Sequence, residues 1–129
     1  MTSANVGRHA WVDATAGVAG DMLLAALVDA GAPLATLLAA VNAVTLGSIG
    51  LTSTQVRRAG MRATKVDVKP VVKDQAHRSW RDIRTLLEHA DLTVQVRERA
   101  HRVFLRLAEA EARVHEVAAD EVQFHEVGG

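Results

Sequence analysis

Apolar residues recur at helical spacing in four parts of the chain. The pattern i, i+3, i+4, i+7 predicts a helix over about Ala19–Ala30, a second from Leu34 through Val41, and a long late helix over about Thr93–Val117. A shorter stripe from Ile83 to Ala90 predicts one more helix between them. In the long helix, the residues predicted to face the core are Val96, Ala100, Val103, Phe104, Leu107, Ala108 and Val114.

Local signals mark the ends of these helices. Gly31 suits the position just past the first helix, and Pro33 fits the first turn of the second. Because so few residues separate these two helices, they are expected to form a tight αα-hairpin. Ser79 and Asp82 resemble a capping box, in which the hydroxyl and the carboxylate each satisfy a free N–H at a helix start.

Alternating polar and apolar residues predict a β-hairpin in the middle of the chain. The runs Leu51–Arg58 and Arg62–Val72 are rich in Thr and Val, and Ala59-Gly60 supplies the turn between them. Pro70 indicates that the second strand ends there or lies at a sheet edge. Near the N-terminus, the brief apolar run Trp11-Val12 fits a buried strand, which we expect to join the same sheet.

Together these elements predict an α+β fold that is mostly helical. An αα-hairpin and a long late helix are expected to pack with a small antiparallel sheet, and residues 1–129 to form a single domain. Aromatic residues are only 3% of the chain, so the core should be aliphatic. After the long helix, the segment Val122–Val127 is predicted to be extended.

Composition excludes several classes of protein. The 15 basic residues balance the 15 acidic ones, which argues against general nucleic-acid binding. The chain has no cysteine, so disulfides and thiolate metal sites are excluded. No stretch reaches about 18 consecutive apolar residues, so no membrane association and a cytoplasmic location are expected.

The charge is nevertheless unevenly distributed. Basic residues gather between Gln55 and Lys73, whereas acidic residues gather between Glu109 and Gly129. The first segment can attract a phosphate-bearing ligand and the second a metal cation. The alternative is that both are simply solvated faces.

The turn before the first helix is the first candidate site. Asp13 is placed at a strand end and Asp21 in the first helical turn, where free backbone N–H groups point outward. Gly17 and Gly20 permit close approach of a ligand, so we assign them to phosphate binding and the two aspartates to catalysis. A carboxylate here favours a phosphate accompanied by a cation. The alternative is a turn followed by a helix cap, in which Thr15 or a neighbour caps the helix and Asp21 only complements the helix dipole.

A second candidate site lies at the end of the long helix. Glu111 falls on the apolar stripe, and His115 follows one turn later, so the two side chains can share a divalent cation. If the extended tail folds back, His125 and Glu126 can complete a site for nickel, zinc or manganese. The alternatives are an internal ion pair of Glu111 with a histidine or arginine, or a helix end that is open to water.

A third candidate is the pair His77-Arg78, which precedes a predicted helix N-terminus. With free N–H groups behind it, this pair can hold a phosphate or a carboxylate. The alternative is a solvent-exposed loop.

Four segments, in this order, resemble the N-terminal part of the LarC family of nickel insertion proteins. They are DATAGVAGDMLLAALVDAG from Asp13 to Gly31, the pair His77-Arg78, AEAEARVH from Ala108 to His115, and VQFHEVG from Val122 to Gly128. The order and spacing of the four make this similarity far more specific than any single one. The resemblance covers nearly the whole chain.

The resemblance implies a CTP-dependent cyclometallase of the lyase class, which makes the nickel-pincer cofactor of lactate racemase. Such a protein inserts nickel into pyridinium-3,5-bisthiocarboxylic acid mononucleotide, with manganese or magnesium assisting CTP hydrolysis. It further implies a C-terminal domain or subunit as partner and leaves a homo-oligomer open. Two other functions stay open: a non-catalytic docking module, suggested by Leu105 lying off the main stripe, and a metal-dependent phosphohydrolase that uses the two aspartates.

The chain departs from the family pattern in two ways. Family members usually carry a histidine two residues before the motif histidine, and here that position is Gln123, which offers no imidazole ligand. Family proteins are also much longer, so this chain is expected to be an N-terminal fragment or a separately made subunit.

Overall fold

A computed structural model describes residues 9–71 and 78–124. It confirms the mostly helical α+β fold, and none of the helices in these residues is both long and apolar enough to cross a bilayer. The elements are α1 (Gly20–Asp29), α2 (Leu34–Thr45), β1 (Ile49–Arg58), β2 (Met61–Pro70), α3 (Trp80–His89), α4 (Val94–His115) and a 3₁₀ turn (Ala119–Glu121).

The predicted β-hairpin is confirmed, including its two-residue turn. β1 and β2 pair antiparallel from Ile49 opposite Pro70 to Arg58 opposite Met61. Ala59 and Gly60 have φ of 48° and 79°, the two positive values that a type I′ turn requires. This turn matches the natural twist of the strands and therefore fixes their register.

The predicted strand at Trp11-Val12 is wrong. These residues form no strand, and Trp11 is 85% exposed, so the sheet of the described chain contains only β1 and β2. Two apolar residues offer too little surface to hold a strand in place. The two strands of the hairpin are longer and pair with each other instead.

The N-terminal half of the core lies between the hairpin and the first two helices. α1 packs mainly against β2 and α2 against β1, and Ala25, Leu51 and Val66 are buried between them. At the end of α1, Asp29 accepts hydrogen bonds from the Arg62 guanidinium (2.8 Å) and the Thr64 hydroxyl (2.6 Å). These bonds tie the helix to β2.

The C-terminal half of the core is built from α3, α4 and the segment that follows them. Its largest fully buried side chains are Trp80, Leu87 and Phe124. The Trp80 N–H donates to the Val122 carbonyl at 2.9 Å, so the chain after α4 folds back across the start of α3. The predicted extended tail is thus confirmed as far as Phe124, and its remainder lies outside the described residues.

The predicted apolar stripe of α4 is only partly correct. Ala108 is fully buried, and Ala100, Phe104 and Leu107 pack against the core, but Val96, Val103 and Val114 are exposed. α3 and the returning segment cover only one side of the apolar surface, so the other side stays open. Leu105, expected off the stripe, is half-buried against the core instead.

The predicted capping box of α3 is confirmed. The Ser79 hydroxyl accepts from the Asp82 N–H, and the Asp82 carboxylate accepts from the Ser79 N–H at 2.9 Å. Hydrogen bonds from the side chain and then the backbone of Ser79 hold the pKa of Asp82 below its usual value.

Ala59 is the residue of the hairpin turn that fits its conformation least well. Asparagine tolerates a positive φ better than alanine, so Ala59→Asn should raise the free energy of unfolding by roughly 0.5 kcal/mol, and Gly60→Ala should lower it by about 1 kcal/mol. Urea unfolding measures both changes. As a control, Ala35→Asn within α2 should lower stability, because asparagine is the poorer helix former. Equal effects at positions 35 and 59 would contradict the turn assignment.

Ser79→Ala should lower the free energy of unfolding by about 1 kcal/mol at neutral pH through loss of the cap. Ionised Asp82 stabilises the fold above its unfolded pKa, and this stabilisation is lost as pH falls through the lowered folded pKa. Thermal unfolding at a series of pH values should therefore show the difference between wild type and variant shrinking in acid. Ser53→Ala, on exposed β1, is the matched control with no such trend. A Ser79→Ala difference that is independent of pH would argue against the cap.

Candidate functional site

The loop before α1 is organised by Asp13. Its carboxylate accepts hydrogen bonds from the N–H (3.0 Å) and the hydroxyl of Thr15, and these bonds lower the pKa of Asp13, the side-chain bond contributing most. Gly17 then closes a turn by donating to the Ala14 carbonyl at 2.9 Å, with φ of 89°. Asp13 is thus an exposed, ionised carboxylate held in one orientation.

The start of α1 has no side-chain cap. Ala19 occupies the N-cap position, so the expectation that Thr15 or a neighbour caps this helix is wrong: the Thr15 hydroxyl is engaged by Asp13. A side chain at Gly20 would meet open space, so packing within the described chain does not require glycine there. Asp21 lies in the first turn, and its carboxylate accepts from the Met22 N–H at 2.9 Å. The Leu23 N–H donates to the Ala19 carbonyl, so in the described chain only the N–H groups of Gly20 and Asp21 lack an acceptor at this helix start.

Asp21 also lines a cleft of about 270 Å³ between α1 and the hairpin. Arg58 of β1 and Lys65 of β2 line the same cleft. The remaining residues around it are Met22, Ala25, Val56, Ala63, Thr64 and Val66. The fold thus joins the candidate turn to the basic segment through two particular side chains.

The two cations of this cleft differ in their availability. The Lys65 ammonium is paired with Asp67 at 2.5 Å and lowers the pKa of that carboxyl. The Arg58 guanidinium makes only a 3.5 Å contact with the Arg57 carbonyl. Arg58 is therefore the better placed to receive an incoming anion. The basic run is visible in the sequence. The sequence does not show which residues of that run line the cleft with Asp21.

The third candidate, His77-Arg78, is only partly described. His77 lies outside the described residues, and Arg78 is half-buried before α3 and does not line the cleft with Asp21. Most N–H groups at this helix start have partners: Asp82 accepts from Ser79, Ser79 accepts from Asp82, and Val122 accepts from Trp80. The free donors expected behind Arg78 are thus largely occupied, and a role for its guanidinium stays a prediction.

At the end of α4, the Glu111 carboxylate and the His115 imidazole are in contact. The distance from Glu111 Oε2 to His115 Nε2 is 3.2 Å, and the side chains are 21% and 57% exposed. The Glu–His pair considered as an alternative therefore forms in this structure. Two donors about 2.1 Å from one cation lie roughly 3.0–3.4 Å apart at angles between 90° and 109°. The 3.2 Å distance between the two donor atoms thus equals the separation expected for two ligands of one cation.

His115 also lines a small cleft of about 190 Å³ where α4 meets the returning chain. Gln123, which stands at the family's histidine position, lines it too, as does Glu121. No group of three potential metal ligands occurs within residues 9–71 and 78–124. The predicted ligands His125 and Glu126 lie outside the described residues, so their part in the site stays a prediction.

The chain matches the Nickel insertion protein family over residues 10–129. It is 56% identical over 119 residues to the pyridinium-3,5-bisthiocarboxylic acid mononucleotide nickel insertion protein of Nocardioides sp., covering 92% of this chain and 30% of that protein. It is 44% identical over 124 residues to a putative nickel insertion protein of Geotalea uraniireducens, covering 95% of this chain and 32% of that protein. No solved structure matches it.

A further relative, from Thermomicrobium roseum, is 48% identical over 124 residues, which cover 94% of this chain and 30% of that putative nickel insertion protein. The chain thus spans about a third of the length of these curated relatives. The match begins before the turn at Asp13 and includes both clefts. On this evidence, the chain belongs to the nickel insertion protein family.

Proposed function

We propose that this chain supplies nickel-binding and substrate-phosphate-binding groups to nickel insertion into pyridinium-3,5-bisthiocarboxylic acid mononucleotide. The substrate is the one named for the Nocardioides relative. The observation that carries the proposal is the 3.2 Å contact between Glu111 and His115, because this pair has the donor types and the spacing that a divalent cation needs. Nickel is here the inserted metal, not a resident cofactor.

At the nickel end, Glu111 and His115 are the first two ligands. Imidazole nitrogen and carboxylate oxygen together suit nickel among the first-row metals. His125 and Glu126 are the two residues directly after Phe124, which is buried beside α4. We infer that they add to the pair, while Gln123 contributes no more than an amide oxygen.

At the substrate end, the cleft beside α1 receives the phosphate of the mononucleotide. The Arg58 guanidinium and the outward N–H groups around Gly20 both favour an anion. At about 270 Å³ the cleft suits only part of such a ligand, since whole small-molecule sites run from about 300 to 1,000 Å³. To Asp21, which lines this cleft, and to Asp13 in the preceding loop we assign the holding of a cation beside the phosphate.

The remaining expectations concern the complete family protein. The proposal includes CTP with manganese or magnesium, and a C-terminal domain or subunit as partner. It also includes a cytoplasmic location. His77 and Arg78 are proposed as additional contacts to an anion. A homo-oligomer is not needed for it. The phosphohydrolase alternative predicts release of phosphate from simple nucleotides, which the proposed function does not require of this chain alone.

Nickel binding tests the metal end. Glu111→Ala and His115→Ala should each weaken nickel binding, measured by titration calorimetry, by at least about tenfold, because even outer partners of a bound metal are worth that much. Glu109→Ala is the matched control, since Glu109 is exposed on the same helix and lacks a histidine partner among the described residues. Identical nickel binding in all four proteins would remove the proposed metal site.

Mononucleotide binding tests the cleft. Arg58→Gln should weaken binding of nicotinic acid mononucleotide, a pyridinium mononucleotide without sulfur, by about tenfold through loss of a charge-assisted hydrogen bond. Arg57→Gln removes the same charge from the neighbouring position, whose side chain points to the other face of the strand and does not line the cleft. The control should bind as wild type does. Equal losses in both variants would indicate general attraction by the basic hairpin rather than a site.

A further inference from the structure

One face of α4 carries an apolar stripe that nothing in the described chain covers. At about 100° per residue, Val103 lies roughly 20° from Val96 around the helix. Val114 lies about five turns after Val96 and points in the same direction as Val96. Their exposed fractions are 45% for Val96, 67% for Val103 and 75% for Val114. With about 1.5 Å of rise per residue, the stripe is roughly 27 Å long. We call these three valines the valine stripe.

Arginines run along one flank of the valine stripe at heptad spacing. Arg99, Arg106 and Arg113 are seven residues apart, and Arg102 lies beside them. None of the four has an ion pair or a side-chain hydrogen bond within the described part of the chain, although other arginines do, such as Arg62 with Asp29. Among residues 9–71 and 78–124, the flank is therefore a row of cations without acidic partners beside an open apolar surface.

We propose that this face binds an amphipathic helix that carries carboxylates at heptad spacing. The valines of the stripe are seven and eleven residues apart, which keeps them on one line along the helix. Charges that flank such an apolar seam select the partner helix in coiled coils. An arginine row selects glutamate or aspartate, which guanidinium groups bind in bidentate fashion. The relatives extend to about three times the matched length, so family proteins contain further chain that can supply such a helix.

A second copy of the chain in antiparallel pairing fits this face less well. In antiparallel pairing of two identical helices, like flanks meet, so Arg99, Arg106 and Arg113 would face the same arginines of the other copy. An anionic membrane also fits less well. The stripe consists of short valine side chains, whereas membrane-surface helices bury Trp, Phe or Leu.

A designed helical peptide tests the proposal directly on the full chain. The peptide carries leucines at its seam and glutamates at both flanking positions of every heptad, and its binding is followed by fluorescence anisotropy. We expect saturable binding that weakens at least about tenfold when Arg99, Arg106 and Arg113 are together changed to Glu. A peptide with lysines in place of the glutamates should then bind the reversed variant better than it binds wild type. The milder triple change to Gln, checked by circular dichroism, gives the same direction with less risk to folding.

Matched controls separate docking from general charge attraction. Changing Arg57, Lys69 and Arg81 together to Glu alters the net charge equally but lies off α4, and it should leave peptide binding intact. A peptide of the same composition in scrambled order should bind far more weakly. Equal binding of the scrambled peptide overturns the proposal. So does binding to phosphatidylglycerol vesicles without binding to the peptide, or self-association in light scattering that is lost when the three arginines are changed, because a second copy would then occupy this face.

Discussion

The packing of Trp80, Phe104 and Phe124 is the constraint on which the C-terminal half of the molecule depends. These are three of the four aromatic residues in the chain, with ring centroids 6.2 Å apart for Trp80 and Phe104 and 5.9 Å apart for Phe104 and Phe124. Such separations are typical of favourable aromatic pairs. Burying Phe124 brings the returning chain across α3 and α4, which places Gln123 in one cleft with His115. The nickel-binding proposal therefore depends on an apolar contact that itself touches no metal.

The two candidate regions rest on different parts of the core. The cleft with Asp21 and Arg58 is built on the cluster of Ala25, Leu51 and Val66, whereas Glu111 and His115 stand on the helix that buries Ala108. α2 is shared: most of its apolar residues pack toward the hairpin, but Val44 contacts the C-terminal cluster. Substrate phosphate and nickel are thus assigned to separate, individually supported surfaces.

Local features of the fold could be predicted from the sequence, whereas features that depend on distant contacts could not. The helices and the turn at Ala59-Gly60 follow from periodicity and turn chemistry that operate within a few residues. The contact of Glu111 with His115 could be anticipated for the same reason, because residues four apart on a helix are neighbours. The prediction of a strand at Trp11-Val12 is wrong because a strand needs a partner strand, and a local sequence pattern does not show whether a partner strand is present.

Burial of side chains and assembly of the candidate sites also depend on distant contacts, so they could not be predicted from local sequence patterns. Periodicity gives the apolar side of α4 but not which half of it a neighbour covers, so Val103 and Val114 were assigned to the core and are instead exposed. That Asp21 and Arg58 line one cleft depends on how α1 lies against the hairpin, which brings together residues far apart in sequence. The resemblance to the LarC family indicates the family of the chain. It does not indicate which basic side chains line the cleft with Asp21.

The edges of the sheet matter as well, because within the described part of the chain each of its two strands has a hydrogen-bonded neighbour on only one side. A hairpin of two strands is marginal alone in water, and an open strand edge invites pairing with other chains. Arg57, Arg58, Arg62, Lys65 and Lys69 lie along these strands, and charged side chains are a common protection against such pairing. The basic residues proposed to attract a ligand are thus of the kind that also opposes edge-to-edge pairing of the hairpin.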